Sequence, residues 1–338
     1  MEVEGVMTFP VTETESGGRV GGSPRPTLRT LLWRVMPDQP ILTLQQLARE
    51  SKKTVPITTA KAISAGELLT KVFPDDNAVI GSALLHQGSI LVVGGPPKTY
   101  KSFLVSSMAF HLVTGTNMFG ATRSPRPGTK EPVFPINTSQ RVLILEQEIG
   151  ERDLQGRLTS MMTSLSPAEA ILVKEKLFFH SCDHNMALDT ERGRVYISKL
   201  IEQMNPGVVC FDPLVEFHNS DENSASEMAK VLHGIDWLRE RYPFSTILVH
   251  HLSKPNKESG RKGPDLLRGS SVIFGKGDSF MLLKNVGDDP GTLQVNFTVR
   301  RGKPIDAMIV KVDFNTLQTT FLHWNKARKD RRFDLDSE

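Results

Sequence analysis

Apolar runs that are almost uninterrupted by polar residues alternate along the chain with segments in which apolar residues recur at helical spacing. Such runs are typical of strands buried on both faces of a parallel sheet, and the alternation is typical of helices that cover that sheet. The pattern predicts strands at 88–94, 141–146, 176–181, 207–212 and 245–250, and helices at 102–113, 151–165, 190–204 and 224–241. We therefore expect an α/β fold with a mainly parallel sheet covered by helices on both faces.

The pattern changes after residue 252, where short apolar segments follow one another without long helices between them. Strands are predicted at 280–283, 292–299, 308–314 and 319–323. We expect these C-terminal strands to be antiparallel and to extend the parallel sheet.

Four other segments differ from the sheet pattern in composition. Residues 1–26 are rich in Gly, Pro, Ser, Thr and Glu and predict a disordered arm. Residues 27–63 contain short amphipathic pieces and predict a helical extension with a linker, whereas 324–338 predict a charged tail. The segment 115–140 predicts a long loop, which in a compact domain is usually functional or mobile. The main domain is therefore expected at 64–323, and Ser64 and Glu67 have the capping-box spacing of a helix start.

Composition narrows the class of protein only slightly. The 338 residues carry a net charge of +3, which permits nucleic-acid binding but does not require it. The two cysteines, Cys182 and Cys210, lie far apart without a paired spacing, which favours a reducing cytoplasm. No apolar run approaches the roughly 18–20 residues that span a bilayer, and the acidic start does not resemble a secretion signal, so no membrane association is expected.

The turn between the first predicted strand and helix has the features of a phosphate-binding loop. From Gly95 to Ser102 it reads G-P-P-K-T-Y-K-S, which matches G-x-x-x-x-G-K-[ST] except that Tyr100 replaces the second glycine. Backbone amides at a helix start bind phosphates, Lys101 would reach the β- and γ-phosphates, and Ser102 would bind Mg²⁺. The alternative is a chance match in a strand–turn–helix. The candidate nucleotide-binding residues are Gly94, Gly95, Pro96, Pro97, Lys98, Thr99, Tyr100, Lys101, Ser102 and Phe103.

Acidic residues follow two of the other predicted strands. Asp212 ends an apolar run, where a carboxylate faces the ligand crevice of a parallel sheet, and predicts a Mg²⁺ ligand. Its alternative role is a turn residue before Pro213. Glu148 is the candidate general base, with Glu146 as a rival or supporting partner. Alternatively, both glutamates stabilise the start of the helix near Glu151.

Histidines and arginines follow the later strands. His250 and His251 end a strand and must point to opposite sides, so we expect only one of them, His251, to approach the γ-phosphate. Arg268 and the pair Arg300 and Arg301 are candidate arginine fingers or, equally, solvated or DNA-contacting charges.

In their order along the chain, these motifs resemble those of the RecA-like ATPases of the ring helicase branch. The resemblance is nearest to RepA-type plasmid replication helicases, with DnaB-type and phage T7-type helicases less close, and it covers 64–321. It is carried by GGPPKTYKS at 94–102, LILEQEI at 143–149, VVCFDPL at 208–214, ILVHHLSK at 247–254 and LLRGSS at 266–271. Three features depart from the family: Tyr100, the long insert at 116–140, and the lack of a separate primase-binding or zinc-binding domain.

The resemblance implies a RecA-like P-loop NTPase fold that uses ATP and Mg²⁺. It matches Lys101 and Ser102 to the Walker A residues, Glu148 to the catalytic glutamate, Asp212 to the Walker B aspartate and His251 to the phosphate sensor. Arg268 falls in the family's R-G-S-S-like motif, and Arg300, preferred over Arg301, falls at the position of the finger that acts on a neighbouring subunit. The basic loop 253–267 falls where the family contacts DNA, which implies single-stranded DNA and a hexameric homo-oligomer as partners.

Two functions of different classes are consistent with these residues. The first is a Mg-ATP-dependent ring motor of the DNA helicase class. It would act on single-stranded DNA through phosphate contacts from loop 253–267. The second is an ATP-binding switch or regulator in DNA replication or recombination that does not translocate, which Tyr100 and the N-terminal segments favour. A small-molecule P-loop kinase fits less well, since it leaves the C-terminal strands and the R-G-S-S motif unexplained.

Overall fold

A computed structural model describes residues 62–72, 77–124, 128–251 and 270–325. The chain divides into two units, Met1–Phe73 and Pro74–Glu338. In the first unit, helix α1 (Ala65–Thr70) begins at the expected capping box, because Ser64 Oγ accepts from the amide of Glu67 at 3.1 Å and the Glu67 carboxylate accepts from the amide of Ser64 at 2.9 Å. The predicted arm 1–26, the predicted extension up to residue 61, loop 253–267, Arg268 and residues 326–338 lie outside the described residues.

The second unit is built from strands and helices in alternation. Among the described residues its strands are β1 (Ala78–Ile80), β2 (Leu85–His86), β3 (Ile90–Gly95), β4 (Thr122–Arg123), β5 (Glu131–Pro132), β6 (Val142–Glu146), β7 (Leu177–Ser181), β8 (Val208–Asp212), β9 (Ser245–His251), β10 (Ser279–Asn285), β11 (Thr292–Val299), β12 (Ala307–Val312) and β13 (Thr319–Asn325). Its α-helices are α2 (Lys101–Thr114), α3 (Glu151–Met162), α4 (Pro167–Lys176), α5 (Glu191–Met204), α6 (Ala225–Arg239) and α7 (Ser270–Lys276).

Nine strands form one sheet in the order β13-β12-β11-β10-β3-β9-β8-β6-β7. The strands from β10 to β7 in this order are parallel, whereas β10, β11, β12 and β13 pair antiparallel in sequence order. The expected α/β P-loop fold, with a mainly parallel sheet and an antiparallel C-terminal extension, is therefore confirmed.

Helices pack against both faces of this sheet. Along β3, Leu91 and Val93 belong to one apolar cluster, whereas Ile90 and Val92 belong to the other. The first cluster includes buried residues of α2, such as Leu104 and Met108, and the second includes residues of α5 and α6. Because both sides of the strand are buried, its sequence is continuously apolar rather than alternating.

The segment expected to be a long loop, 115–140, is a packed insert. It contains a turn of 3₁₀ helix (Met118–Gly120) and the hairpin β4–β5, and Phe134 is fully buried. The side chain of Asn117 holds the insert together, since it donates to the carbonyl of Ala121 at 2.7 Å and accepts from the amide of Phe134 at 3.2 Å. These contacts are made between residues with no periodic pattern, which is why the sequence indicated a loop.

The C-terminal strand also extends further than expected. β13 continues to Asn325, and the indole nitrogen of Trp324 donates to the carbonyl of Thr122 at 2.8 Å in the insert. The first two residues assigned by composition to the charged tail are therefore part of the sheet. In the described part of the chain, no helix combines the length and the apolar character needed to cross a bilayer.

Candidate nucleotide-binding site

The loop between β3 and α2 lies at the carboxyl edge of the sheet and has a strained backbone. Two of its residues, Lys98 (φ 63°) and Tyr100 (φ 53°), adopt the left-handed conformation. Tyr100 is the residue that precedes the first turn of α2. Glycine adopts this conformation freely, whereas a side chain costs about 1–2 kcal/mol there. Tyr100 is therefore a strained residue at the position that the motif gives to glycine.

Lys101 is held against the loop that precedes it. Its Nζ donates to the carbonyls of Gly95 at 3.1 Å and Pro96 at 2.9 Å, and the side chain is buried. Burial lowers the pKa of Lys101 to about 8, although the charges of Asp212 and Glu148 oppose the shift. The ammonium group thus lies inside the loop and electrostatically close to both predicted acidic residues.

Asp212 and Glu146 end neighbouring strands and are direct partners in the register of β6 and β8. Both are buried, with exposed fractions of 2% and 4%. Burial raises the pKa of each carboxyl group, and the nearby charge of Glu146 raises that of Asp212 further, whereas a hydrogen bond with Ser102 lowers it. Within the described residues, Oδ1 of Asp212 is buried without a hydrogen-bond partner. A buried carboxylate oxygen with no partner, next to a hydroxyl, is a suitable ligand pair for a divalent cation.

Glu146 and Glu148 differ in their surroundings. Oε1 of Glu146 accepts from the amides of Glu148 at 2.9 Å and Ile149 at 3.3 Å, so this carboxylate fixes the turn after β6. Glu148 is exposed, and its charge acts on Lys101 and Asp212. Glu146 therefore fits the role of supporting partner, and Glu148 is the carboxylate that remains accessible.

The two histidines of β9 lie beside the phosphate loop, because His250 pairs with Gly94 and His251 with Gly95 in the register of β9 and β3. His250 is buried, and its Nδ1 lies 4.0 Å from Oε1 of Glu222. His251 is only partly buried. His250 is therefore the more buried of the two, and the approach of His251 to the γ-phosphate stays a prediction.

A sequence model of the AAA domain family matches residues 56–257 of the chain, which is more than half of its length. The matched segment contains the phosphate loop, both acidic strand ends and the histidine pair. The chain belongs to the AAA domain family. The protein is therefore a P-loop ATPase, and its membership agrees with the RecA-like ATPase superfamily. A comparison with curated proteins found no match.

Arg300 and Arg301 lie beyond the matched segment and far from the phosphate loop of the same chain. They follow β11, whose Val299 pairs with Ser279 of β10, and Ser279 in turn pairs with Leu91 near the start of β3. At about 3.3 Å per residue, the offset from Leu91 to Gly95 is roughly 13 Å along the strand. The Arg300 guanidinium donates to the carbonyl of Gly275 at 2.6 Å. Neither arginine is therefore brought together with the other candidate residues in the same chain.

Two residues near the AAA phosphate loop were not found by sequence reasoning. The guanidinium of Arg157 on α3 lies 4.8 Å from the ring centre of Phe103, and its charge lowers the pKa of Glu146. Phe314, which follows β12, packs against Tyr100 with ring centres 5.5 Å apart. Neither residue lies in a recognised motif, since each reaches the site only through the tertiary fold.

The residues of the AAA domain fit Mg-ATP. The amides of the first turn of α2 and the ammonium group of Lys101 would hold the phosphates, and Ser102 and Asp212 would hold Mg²⁺. When bound, the metal neutralises phosphate charge during phosphoryl transfer. Glu148 would orient a water molecule and accept its proton, and Glu146 fixes the turn that carries Glu148. His251, the register partner of Gly95, would hydrogen-bond a phosphate oxygen.

Proposed function

We propose that this ATPase is a ring-forming motor of the RepA and DnaB type that acts on single-stranded DNA. The observation that carries the proposal is the separation of its charged groups. Lys101, Asp212, Glu148 and His251 belong to one edge of the sheet, whereas Arg300 lies toward the opposite edge. An arginine so placed can complete an ATP site only on another subunit, as a finger supplied in trans does.

The connection between the ATP site and loop 253–267 supports the DNA part of the proposal. The loop follows directly after β9, whose last residue, His251, is the register partner of Gly95 in the phosphate loop. The loop sequence carries Lys254, Lys257, Arg261 and Lys262. Loss of a phosphate next to His251 would thus be transmitted to the start of this basic loop. The loop would contact the DNA backbone without sequence preference.

Mass measurement in solution tests the assembly. The full-length protein is sized with and without Mg-ATP and a single-stranded oligonucleotide, and we expect a hexamer that requires or is strengthened by the ligands. The test variant is Arg300→Ala. It should retain nucleotide binding but lose at least about a hundredfold in turnover if the finger acts in trans. A monomer with full ATPase activity under all conditions would contradict the proposal.

A second function, an ATP-dependent switch that does not translocate, is favoured by the strained Tyr100 in the phosphate loop. A substituted loop that binds ATP but releases its products slowly would suit a switch better than a motor. A strand-displacement assay separates the two functions. The motor unwinds a forked duplex and its ATPase rate rises with single-stranded DNA, whereas the switch binds ATP and unwinds nothing.

A further inference from the structure

The turn between β12 and β13 contacts the phosphate-loop helix at two levels, although more than 200 residues separate them in sequence. At the first level, the ring of Phe314 packs edge-on against Tyr100, with the ring planes inclined at 62°. At the second level, Oγ of Ser107 donates to Oε1 of Gln318 at 2.9 Å and accepts from the amide of Thr319 at 3.1 Å. Ser107 is fully buried. The turn is therefore fixed to α2 near its start and again about two helical turns further along.

Phe314 has a defined place in this turn. The Asp313 amide donates to the Gln318 carbonyl at 2.9 Å, and the Asp313 carboxylate accepts from the amide of Asn315 at 2.8 Å. Gly291 lies beneath the ring with φ 82°, and a Cβ atom there would lie 2.9 Å from Cζ of Phe314. The side chain is nevertheless half-exposed, so its position is not explained by burial in the core.

Tyr100 is the residue that needs support from outside the loop. It adopts a left-handed conformation that disfavours any side chain, and its own side chain makes no capping hydrogen bond to α2. Its ring packs against that of Phe103, nearly parallel with ring centres 6.2 Å apart, and against that of Phe314. Aromatic pairs in these orientations are attractive beyond the area that they bury.

We propose that Phe314 is a positioning residue for nucleotide binding, which holds Tyr100, and with it the phosphate loop, in the conformation that accepts ATP. The proposal goes beyond the motor function, since it concerns only the binding of ATP within one chain. The aromatic contact with Phe314 offsets the conformational cost of having a tyrosine where a glycine is usual.

The test compares Phe314→Ala with Leu322→Ala, which removes a side chain of similar exposure from β13. Binding of a fluorescent ATP analogue and DNA-independent ATPase kinetics are measured, with thermal unfolding to verify the fold of each variant. We expect Phe314→Ala to raise KM and the dissociation constant about 3- to 10-fold, with kcat changed less than about twofold. Leu322→Ala should leave both constants unchanged, and Phe314→Tyr should restore them.

The deciding comparison uses Tyr100→Gly. In that background position 100 no longer carries the strain, so adding Phe314→Ala should change KM by less than about twofold. An equal loss in both backgrounds, or no difference from Leu322→Ala, would overturn the proposal. Because the nucleotide-binding measurement needs neither DNA nor an assembled ring, a protein that fails every helicase assay still gives a clear result in it.

Discussion

Glu146 and Asp212 are direct partners at the last residues of β6 and β8, so two buried carboxyl groups lie side by side at the ATP edge of the sheet. Burial raises the pKa of both groups, and the charge of Glu146 raises that of Asp212 further. Without a cation, this arrangement is unfavourable for the fold when both groups are ionised. The pair thus links stability of the site to the metal that it is expected to bind.

Asp212→Asn should separate stability from activity. The amide removes one of two adjacent buried charges, so the melting temperature measured in EDTA should stay the same or rise. Turnover should fall by at least about a hundredfold, because the carboxylate oxygen that lacks a partner is the expected Mg²⁺ ligand. Scanning fluorimetry and a Mg²⁺ titration of ATPase activity test both parts. Unchanged turnover would exclude Asp212 as the metal ligand.

Lys101→Ala should abolish turnover, with a fall of at least about a hundredfold. The variant loses the ammonium group that would bind phosphate. It also loses the hydrogen bonds that this group donates to the carbonyls of Gly95 and Pro96. Lys101→Arg keeps the charge and changes the shape, so it serves as the matched control, and it should also be slow. Phosphate release assays measure both variants, and substantial activity in Lys101→Ala would contradict the assignment of the loop.

Glu148→Gln should retain ATP binding and stop hydrolysis. The side chain is exposed, so the substitution removes the basic carboxylate and leaves the turn intact. Glu146→Gln is the contrasting variant, since its carboxylate accepts from the amides of Glu148 and Ile149. It should weaken hydrolysis less, through displacement of Glu148. Binding of a fluorescent nucleotide and single-turnover kinetics distinguish the two. Normal turnover in Glu148→Gln would transfer the role of base to Glu146.

Gly193 and Gly156 both lie inside helices, but only one of them is needed for packing. A Cβ atom at Gly193 would lie 2.0 Å from the carbonyl oxygen of Ala187, whereas nothing lies within 4 Å of one at Gly156. Gly193→Ala should lower the free energy of unfolding by about 1–3 kcal/mol. Gly156→Ala should raise it by up to about 1 kcal/mol, since alanine favours helix. Denaturant titrations measure both, and equal effects would show that the α5 contact is not tight.

Stability should depend on pH through His111. Burial lowers the pKa of His111 to about 4 from 6.5, and the charge of Glu169 opposes the shift only in part. Between these two pH values the unfolded chain binds a proton that the folded chain does not, so the free energy of unfolding rises with pH, by up to about 3 kcal/mol.

His111→Gln tests this dependence, because glutamine can keep a hydrogen bond to Thr116, which lies 2.8 Å from Nδ1 of His111, but cannot take up a proton. In this variant, denaturant titrations between pH 4.5 and 7 should no longer show the rise in the free energy of unfolding that is expected from His111. The exposed His184, changed to Gln, is the control and should leave the rise in place. A rise that survives in His111→Gln would assign it to another group.

Much of the sheet could be predicted because its strands carry a local signal. Strands such as β3 and β8 are continuous apolar runs that end in residues with a chemical role, Gly95 and Asp212. The aligned carboxyl ends then follow from the geometry of parallel strands. The sequence could therefore indicate that Lys101 and Glu148 lie at the same edge of the sheet. In the structure, the charge of Glu148 acts on Lys101.

Other parts carry no such signal. The packed insert depends on Asn117, one polar side chain that bonds two backbone groups, and no periodicity marks it. The bond between Ser107 and Gln318 joins residues 211 positions apart, so no window of sequence contains both. The C-terminal strands were expected to be antiparallel, but the position of Arg300 also depends on which strands pair and in which register, and no local pattern marks either.

The strand that leads into the phosphate loop acquires its second neighbour late. β3 lies between β9 and β10, and β10 begins at Ser279, beyond residue 257 where the family match ends. A nascent chain that has emerged only to residue 257 would hold β3 as an open edge, with backbone groups available to any passing strand. Newly made protein would thus protect this strand from other chains only after β10, at Ser279–Asn285, has left the ribosome.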